Sequence, residues 1–247
     1  MTPELFFHSD YRQLVREPNQ RFWWHSMPLP NGDRIAGAHE DRNIQVKMWK
    51  ALGIEPPNGL AGKTVLDVGA NDGYFTIAAL LCGASKVTAI NTQDCPTYPE
   101  NLVYAAELWN VSPQVLVGDF RSYAFKERYD VIFFLGVLYH LENVFDAIKL
   151  LRSLLSDRGV LFIETQMSQI QSPLPLFEYA SDIYPTIAPQ GKPYLDYVGV
   201  SNYLFPNRAA ILNLAASYGF EVQPLDGLDN LYTASLPTRE LFKLTRQ

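Results

Sequence analysis

From residue 63 onward, short apolar and β-branched runs alternate with stretches that carry a helical apolar stripe. Strands are predicted at 64–68, 86–90, 114–117, 130–135 and 160–164, and helices at 74–81, 98–109 and 144–155. The run at 130–135 is almost wholly apolar, which is typical of a central strand covered on both faces. This alternation predicts an α/β fold with a doubly wound, mostly parallel sheet.

The chain departs from this rhythm in two places. Residues 1–60 are rich in aromatic residues and proline, and include a helical stripe at 43–52, so we interpret them as a helical and loop-rich cap on a main domain of 61–247. Five prolines at about 166–200 indicate an irregular insertion. A helix at 206–218 and strands at 220–222 and 241–244 are expected to complete the fold.

Composition disfavours several classes of protein. The net charge of −6 opposes binding to nucleic acid or anionic lipid unless a local basic patch is present. Cys82 and Cys95 form neither a disulfide framework nor a zinc cluster, and His8 and His39 lack partners at metal-ligand spacing, so we expect no metal. The longest apolar run, at 131–139, is about half of a membrane span, and the start does not resemble a signal peptide. We therefore expect a cytoplasmic protein without membrane partners.

The first predicted strand ends in Asp-Val-Gly-Ala-Asn-Asp-Gly at 67–73, which leads into a helix. Gly69 and Gly73 carry no Cβ, so the backbone there can turn tightly and approach a ligand, although such a turn can also need glycine for steric reasons alone. In sheets of this kind, cofactors bind at the carboxyl end of the strands. The Gly-x-x-x-Gly spacing lacks the dinucleotide fingerprint Gly-x-Gly-x-x-Gly, which disfavours a nicotinamide oxidoreductase.

This acid-containing turn resembles the first motif of class I S-adenosylmethionine (SAM) methyltransferases. Val-Gly-Asp-Phe at 117–120 agrees, because that family commonly contacts the adenine amino group with an acid at this loop. The loop at 135–140 also agrees, since it corresponds to the family's loop beside the sulfonium and the acceptor. The resemblance implies a Rossmann-like, seven-stranded sheet in the order 3-2-1-4-5-7-6, with the seventh strand antiparallel and SAM as cofactor.

The resemblance also implies which residues hold the cofactor. The family has an acid after the second strand that pairs with the ribose hydroxyls, whereas this chain has Asn91, with Asp94 as an alternative partner. The expected cofactor-binding residues are Trp24, Asp67, Gly69, Ala70, Asn71, Gly73, Asn91, Asp119, Phe120 and Leu135.

A closer resemblance is carried by Gly-Val-Leu-Tyr-His at 136–140, Gly-Val-Leu-Phe-Ile-Glu-Thr at 159–165 and Asn-Tyr-Leu-Phe-Pro at 202–206. These segments resemble the catalytic domain of the tRNA wobble-uridine carboxymethyltransferase group, and 24–32 resembles the entry segment of related small-molecule methyltransferases. The carboxymethylating enzymes have an arginine where this chain has Ser201, which cannot pair with a carboxylate on a modified cofactor. Ordinary SAM is therefore expected.

We predict a SAM-dependent methyltransferase that acts on an oxygen or nitrogen of a small-molecule acceptor. A tRNA wobble-uridine modifying enzyme is the first alternative, and a non-catalytic SAM-binding protein is the second. Such a reaction needs a base only when the acceptor is protonated. Tyr139, His140 and His25 are expected to face the acceptor, His140 because histidine titrates near neutral pH. The aromatic cluster at 22–25 is interpreted either as a lid over the cofactor or as an anchor of the cap.

Overall fold

A computed structural model describes residues 22–37, 44–95, 97–179, 203–228 and 238–247. The elements in chain order are β1 (Met27–Pro28), β2 (Arg34–Ile35), α1 (Ile44–Ala51), β3 (Thr64–Val68), α2 (Tyr74–Leu81), β4 (Lys86–Asn91), α3 (Glu100–Leu108), β5 (Gln114–Val117), β6 (Tyr129–Leu135), a 3-10 turn (Leu138–His140), α4 (Val144–Leu154), β7 (Leu155–Gln166), β8 (Phe177–Tyr179), β9 (Leu204–Pro206), α5 (Arg208–Ser217), β10 (Phe220–Leu225) and β11 (Arg239–Arg246). None of the described helices has the length and apolar character needed to cross a bilayer.

The central sheet has seven strands in the order β10-β11-β7-β6-β3-β4-β5. β5, β4, β3, β6 and β7 run parallel to one another, whereas β11 is antiparallel to both β7 and β10. This confirms the predicted order and the reversed last strand. The chain winds outward from β3 to β5 and then restarts on the other side at β6, so a crevice opens between β3 and β6 at their carboxyl ends.

Alternate residues of the central strands serve two separate cores. Val65 and Phe133 pack with Trp49 of α1 and Phe75 of α2 on one face of the sheet. On the other face, residues of the same strands pack with α4 and α5; this set includes Leu66, Ile132, Phe134, Ile148, Leu151, Ile211 and Leu214. The period of two along each strand is what divides the apolar residues between the faces. Both faces are covered, as the apolar run at 130–135 predicts.

The described part of the predicted helical and loop-rich cap contains a helix, a loop and a short hairpin. The helical stripe is confirmed as α1, but residues 22–37 form a loop and a hairpin in which Met27 pairs with Ile35. The turn between β1 and β2 contains Pro-Asn-Gly, with Gly32 at a φ of +90°, and this composition favours a turn over a helix. Residues 1–21 lie outside the described residues, and the division of the chain at 60/61 remains a prediction.

The predicted irregular insertion carries an ordered ladder at its described ends. β8 pairs antiparallel with β9, so that Phe177 faces Pro206 and Tyr179 faces Leu204. The Asn207 side chain caps α5 by accepting from the Ala210 amide at 2.9 Å, and it donates to the Leu174 carbonyl at 2.8 Å. The ladder therefore corrects the expectation of a wholly irregular stretch. Residues 180–200, together with Ser201, His8 and His39, lie outside the described residues.

Candidate active site

The glycine turn after β3 needs both of its glycines for close packing. Gly69 has a φ of +77°, and a Cβ there would lie 2.4 Å from Cγ2 of Val137 in the loop after β6. Gly73 has a φ of +86°, and its Cβ would lie 2.2 Å from Cδ1 of Leu102 on α3. Between them, Ala70 accepts from the Gly73 amide at 2.8 Å. The turn thus packs tightly between the loop after β6 and α3, so that positions 69 and 73 have no room for a side chain.

Asp67, the acid near the end of β3, is buried beneath this turn. Its Oδ2 accepts a hydrogen bond from the Thr76 hydroxyl at 2.6 Å, and Thr76 belongs to α2. Burial raises the pKa of Asp67 to about 6, against the opposing effects of the Thr76 hydrogen bond and of nearby His25. A cationic ligand group placed beside this carboxylate would offset the cost of keeping it charged.

Asp72 fastens the segment 22–25 to the glycine turn. Its side chain is fully buried and accepts from the His25 backbone amide at 2.7 Å and from the Asn101 side-chain amide at 3.0 Å. Asn101 also donates to the Phe22 carbonyl at 2.9 Å. Nδ1 of His25 lies 3.5 Å from Oδ2 of Asp72, and the imidazole packs edge-on against Phe75 with ring centroids 6.5 Å apart. His25 is therefore held at the turn by its backbone and its side chain together.

Asn91 at the end of β4 and Asp119 after β5 are the residues predicted to bind the ribose and the adenine, and the side chain of each makes hydrogen bonds within the protein. Oδ1 of Asn91 accepts from the Thr92 amide at 2.8 Å. The Asp119 carboxylate accepts two hydrogen bonds from Nε of Arg121 and one from its NH2 group, at 2.6–3.0 Å, and these bonds hold the pKa of Asp119 below its ordinary value. Phe120 is buried against Phe134, with ring centroids 5.6 Å apart, so most of its ring belongs to the core.

The loop after β6 presents Tyr139 and His140. Leu135 ends the strand, and Gly136 follows it with a φ of +75°. The Tyr139 hydroxyl accepts a hydrogen bond from the Arg239 guanidinium, whose Cζ lies 4.9 Å from the centroid of the tyrosine ring. Burial raises the pKa of the Tyr139 phenol, against the lowering effect of Arg239, so the hydroxyl keeps its proton at neutral pH.

Glu164 and Arg239 form a buried ion pair beside that loop. Glu164 is fully buried near the end of β7, and NH1 of Arg239 lies 3.1 Å and 3.2 Å from its two carboxylate oxygens. Burial raises the pKa of Glu164, opposed first by Arg239 and also by His25. Glu164 is level with Leu135 in the parallel register, which places the pair at the same edge of the sheet as the glycine turn.

The structure brings most of the predicted site residues to this one edge. The turn residues Asp67, Gly69, Ala70, Asn71 and Gly73 lie beside the strand ends at Asn91, Asp119 and Leu135, and Tyr139, His140 and His25 lie around them. Trp23, rather than Trp24, is the deeply buried tryptophan of the aromatic cluster and serves as the anchor. Trp24 is half-buried and packs against Phe22, with ring centroids 5.6 Å apart.

Five residues of the site were not predicted as site residues: Asp72, Thr76, Asn101, Glu164 and Arg239. The signal for Glu164 is the same as that for Asp67, since each is an acid near the end of an apolar strand. Asp72 stands inside the glycine turn itself. No local pattern marks Arg239, which meets Glu164 from 75 residues further along the chain. In the part of the chain that the structure describes, no cluster of three or more histidine, cysteine or acidic side chains is arranged to hold a metal ion.

Comparisons with known proteins agree with this geometry. A family model described as "Methyltransferase domain" matches residues 41–225. The chain is 29% identical over 112 residues to a tRNA U34 carboxymethyltransferase of Campylobacter curvus, a match that covers 45% of this chain and 37% of the relative. It is 26% identical over 166 residues to the enzyme of the same name from Campylobacter jejuni, covering 66% of this chain and 51% of the relative. The chain thus spans about half, or less, of these relatives.

Solved structures with the same fold include two methyltransferases. Magnesium protoporphyrin IX methyltransferase of Synechocystis PCC 6803, with bound S-adenosylhomocysteine (SAH), superposes with a TM-score of 0.58 at 17% identity, covering 96% of this chain and 94% of the other. The 1,6-didemethyltoxoflavin-N1-methyltransferase of Burkholderia thailandensis gives a TM-score of 0.56 at 16% identity, covering 85% and 83%. Because the family model matches most of the length of this chain, the chain belongs to the methyltransferase domain family, and it has the fold of SAM-dependent methyltransferases.

Proposed function

We propose that this SAM-dependent methyltransferase transfers a methyl group to an oxygen or nitrogen of a small-molecule acceptor. SAM, when bound, supplies an electrophilic methyl group on a sulfonium. The residues at the sheet edge suit such a cofactor: Gly69, at a φ of +77°, lets the backbone turn tightly after β3, and the buried Asp67 carboxylate would be stabilised by an ammonium group. Asn91 and Asp119 are the proposed partners of the ribose and the adenine.

The acceptor side is formed by the loop after β6 and by segment 22–25. Tyr139 keeps its proton, and its oxygen already accepts from Arg239, so its O–H remains able to donate to an acceptor atom. Methyl transfer mainly requires that the acceptor atom be aligned with the methyl carbon and that water be excluded. Tyr139, His140 and His25 are the proposed acceptor-facing residues.

We prefer a small acceptor because, among the described residues, both arginines of the site form ion pairs with carboxylates. Arg121 is bound to Asp119 and Arg239 is bound to Glu164, so the charge of each is balanced by a carboxylate. A protein that holds an RNA backbone needs cationic side chains to neutralise phosphates, and the chain as a whole is acidic. Both structural relatives described above are also named for small-molecule substrates.

The second candidate function is modification of a tRNA wobble uridine. Its support is the sequence similarity to the Campylobacter enzymes, which are named as tRNA U34 carboxymethyltransferases. The similarity covers half or less of those enzymes, and the paired arginines weigh against a direct transfer of their substrate.

A labelling experiment separates these functions. The protein is first titrated calorimetrically with SAM and SAH, and then incubated with methyl-tritiated SAM and either the small-molecule fraction of a cell extract or purified total tRNA. We expect label in the small-molecule fraction. Label in tRNA alone, with binding that weakens steeply as salt rises, would establish the second candidate instead. SAM binding without label in either fraction would favour the non-catalytic alternative.

A further inference from the structure

His25 has a carboxylate neighbour in the glycine turn. Asp72 accepts a hydrogen bond from the His25 backbone amide at 2.7 Å, and the same oxygen, Oδ2, lies 3.5 Å from Nδ1 of the imidazole. Asn101 donates to the other Asp72 oxygen at 3.0 Å, so the carboxylate is fixed from two sides. A fixed carboxylate beside Nδ1 can orient an imidazole and stabilise the imidazolium that forms during a reaction.

The imidazole lies within electrostatic reach of two further acids. His25 lowers the pKa of Asp67 on β3 and of Glu164 on β7, although burial, the larger effect, raises both. β6, whose following loop carries Tyr139 and His140, lies between β3 and β7 in the sheet. His25 therefore belongs to the same edge of the sheet as that loop.

The His25 side chain is only partly buried. Nδ1 is buried next to Asp72 and makes no hydrogen bond, whereas 22% of the whole side chain is exposed. Because Nδ1 is the buried nitrogen, we assign the proton transfer with an acceptor to Nε2. Among the described residues, the groups that face His25 are Asp72, Asp67 and Glu164, together with the ring of Phe75 on α2.

We propose that His25 is the general base of the methyl transfer and that Asp72 is the residue that positions it. This inference rests on the proposed function, because a base is needed only for an acceptor that carries an O–H or N–H proton. In this step, a lone pair of the acceptor atom forms a bond to the methyl carbon while the carbon–sulfur bond breaks and leaves its electron pair on sulfur. The acceptor proton passes to Nε2 of His25, and solvent later removes it.

The charge balance of this step suits the arrangement of acids. One positive charge is lost from the sulfonium and one is gained by the imidazole, so the total charge within the site is unchanged. Asp72 stabilises the imidazolium as it forms. The Nδ1 to Oδ2 distance of 3.5 Å is long for a hydrogen bond, as catalytic pairs often are without substrate.

The test compares five variants, one of them His25→Ala for rescue by imidazole, in the tritium assay, with methyl-tritiated SAM and the small-molecule fraction of a cell extract as the probe. His25→Gln removes the base, Asp72→Asn removes the charge behind it, and His140→Gln removes the competing base. Asp157→Asn is the matched control, because Asp157 is exposed and lies at the start of β7, away from the site. Each variant is also measured for SAM affinity by calorimetry and for thermal unfolding.

His25→Gln is expected to lower the labelling rate about 100-fold or more while SAM affinity stays close to that of the wild type. Added imidazole is expected to restore part of the rate in His25→Ala. Asp72→Asn is expected to cause a smaller loss, because the imidazolium that forms in the reaction then lacks its carboxylate. A residue that only anchored segment 22–25 would show no rescue by imidazole.

Two results would overturn the proposal. A His25→Gln variant that binds SAM and labels the small-molecule fraction at the wild-type rate excludes the base but leaves the proposed function intact. Wild-type protein that labels only tRNA overturns both together. If Asp72→Asn fails to fold, His25→Gln and imidazole rescue still decide the role of His25, and loss of rate in His140→Gln alone would assign the base to His140 instead.

Discussion

The two halves of the site are held together in different ways. In the cofactor half, formed by β3, β4 and the glycine turn, the buried Asp67 meets its partner Thr76 only nine residues along the chain. In the acceptor half, formed by β6, β7, β11 and segment 22–25, the partners are far apart: 100 residues separate Tyr139 from Arg239, and 47 separate His25 from Asp72, which belongs to the glycine turn and so connects the two halves.

The buried acids of the two halves, Asp67 and Glu164, also differ in whether a cation of the protein neutralises them. Asp67 receives a hydrogen bond from a neutral hydroxyl, so its negative charge remains available to a cationic ligand. Glu164 is already paired with Arg239. The cofactor half therefore has a carboxylate that can still pair with a cationic ligand. The acceptor half is held together by contacts between distant parts of the chain. Variants in the first half should affect SAM binding, and variants in the second should affect stability and turnover.

The largest effect is expected from Gly69→Val. The new side chain must displace Val137, which lies 2.4 Å from the ideal Cβ position, and it must adopt a φ of +77°. We expect SAM binding to fall below detection in calorimetry. Gly53→Val is the matched control, since Gly53 has a φ of +68° and nothing lies within 4 Å of its Cβ position. It shares the backbone strain of about 1–2 kcal/mol and should retain SAM binding. Normal SAM affinity in Gly69→Val would place the cofactor elsewhere.

The second effect tests the buried pair of the acceptor half. Arg239→Met leaves Glu164 buried without its cation, and we expect the free energy of unfolding to fall by about 3–5 kcal/mol. Urea unfolding at neutral pH measures this change. Adding Glu164→Gln to Arg239→Met is expected to recover much of it, because no charge is then left unpaired.

Arg208→Met provides the contrast for Arg239→Met. Arg208 pairs with Glu240 on the surface, with 59% of its side chain exposed, and loss of this pair is expected to cost less than about 1 kcal/mol. Equal losses in Arg208→Met and Arg239→Met would mean that burial of the Glu164 pair has no energetic consequence.

The third effect concerns the pH dependence of stability. The pKa of Asp67 is raised from 3.8 to about 6, so the folded protein binds more protons than the unfolded chain between these values. Stability from this group is complete below about pH 4 and is lost as the pH rises through about 6, by roughly 3 kcal/mol.

Asp67→Asn isolates this contribution in urea unfolding across that range. Relative to the variant, the wild type is expected to become less stable as the pH rises from about 4 to 7. Thr76→Val removes the hydrogen bond that lowers the pKa of Asp67, so the loss of stability with rising pH should extend to higher pH in this variant. A wild type that gains stability relative to Asp67→Asn over this range would contradict the assigned direction.

The smallest effect is expected at the end of β4. Asn91→Asp places a charged acceptor where the ribose hydroxyls are proposed to bind, and a charge-assisted bond is stronger by about 1 kcal/mol. Calorimetry should then show SAM affinity rising about fivefold. Asp94→Asn is the companion variant. If Asp94, rather than Asn91, holds the ribose, Asp94→Asn will weaken SAM binding and Asn91→Asp will leave it unchanged.

The cofactor half was largely predictable because its signals are local. The acid at the end of an apolar strand, the two glycines and the start of α2 lie within one short segment, so the βα turn can be identified from adjacent residues, whether its glycines serve a ligand or only the packing. The strand pattern predicted the sheet for the same reason, since a period of two can be read within a few residues.

The acceptor half was less predictable because its contacts depend on how distant segments pack. Glu164 ends an apolar strand as Asp67 does and could have been found, but Arg239 opens a strand near the end of the chain, where arginine is commonly exposed. The hairpin at 27–35 was missed because Trp23 and Met27 were assigned to a cap by composition, although Pro-Asn-Gly already signalled a turn.

The ladder between β8 and β9 has a consequence for how the enzyme family can diversify. Because Tyr179 and Leu204 face one another in the ladder, the two ends of the segment that connects them are held close together. Doubling the length of a segment closed in this way costs only about 0.6 kcal/mol. By this entropic measure, related chains can differ in the length of this connection at little cost to the stability of the fold.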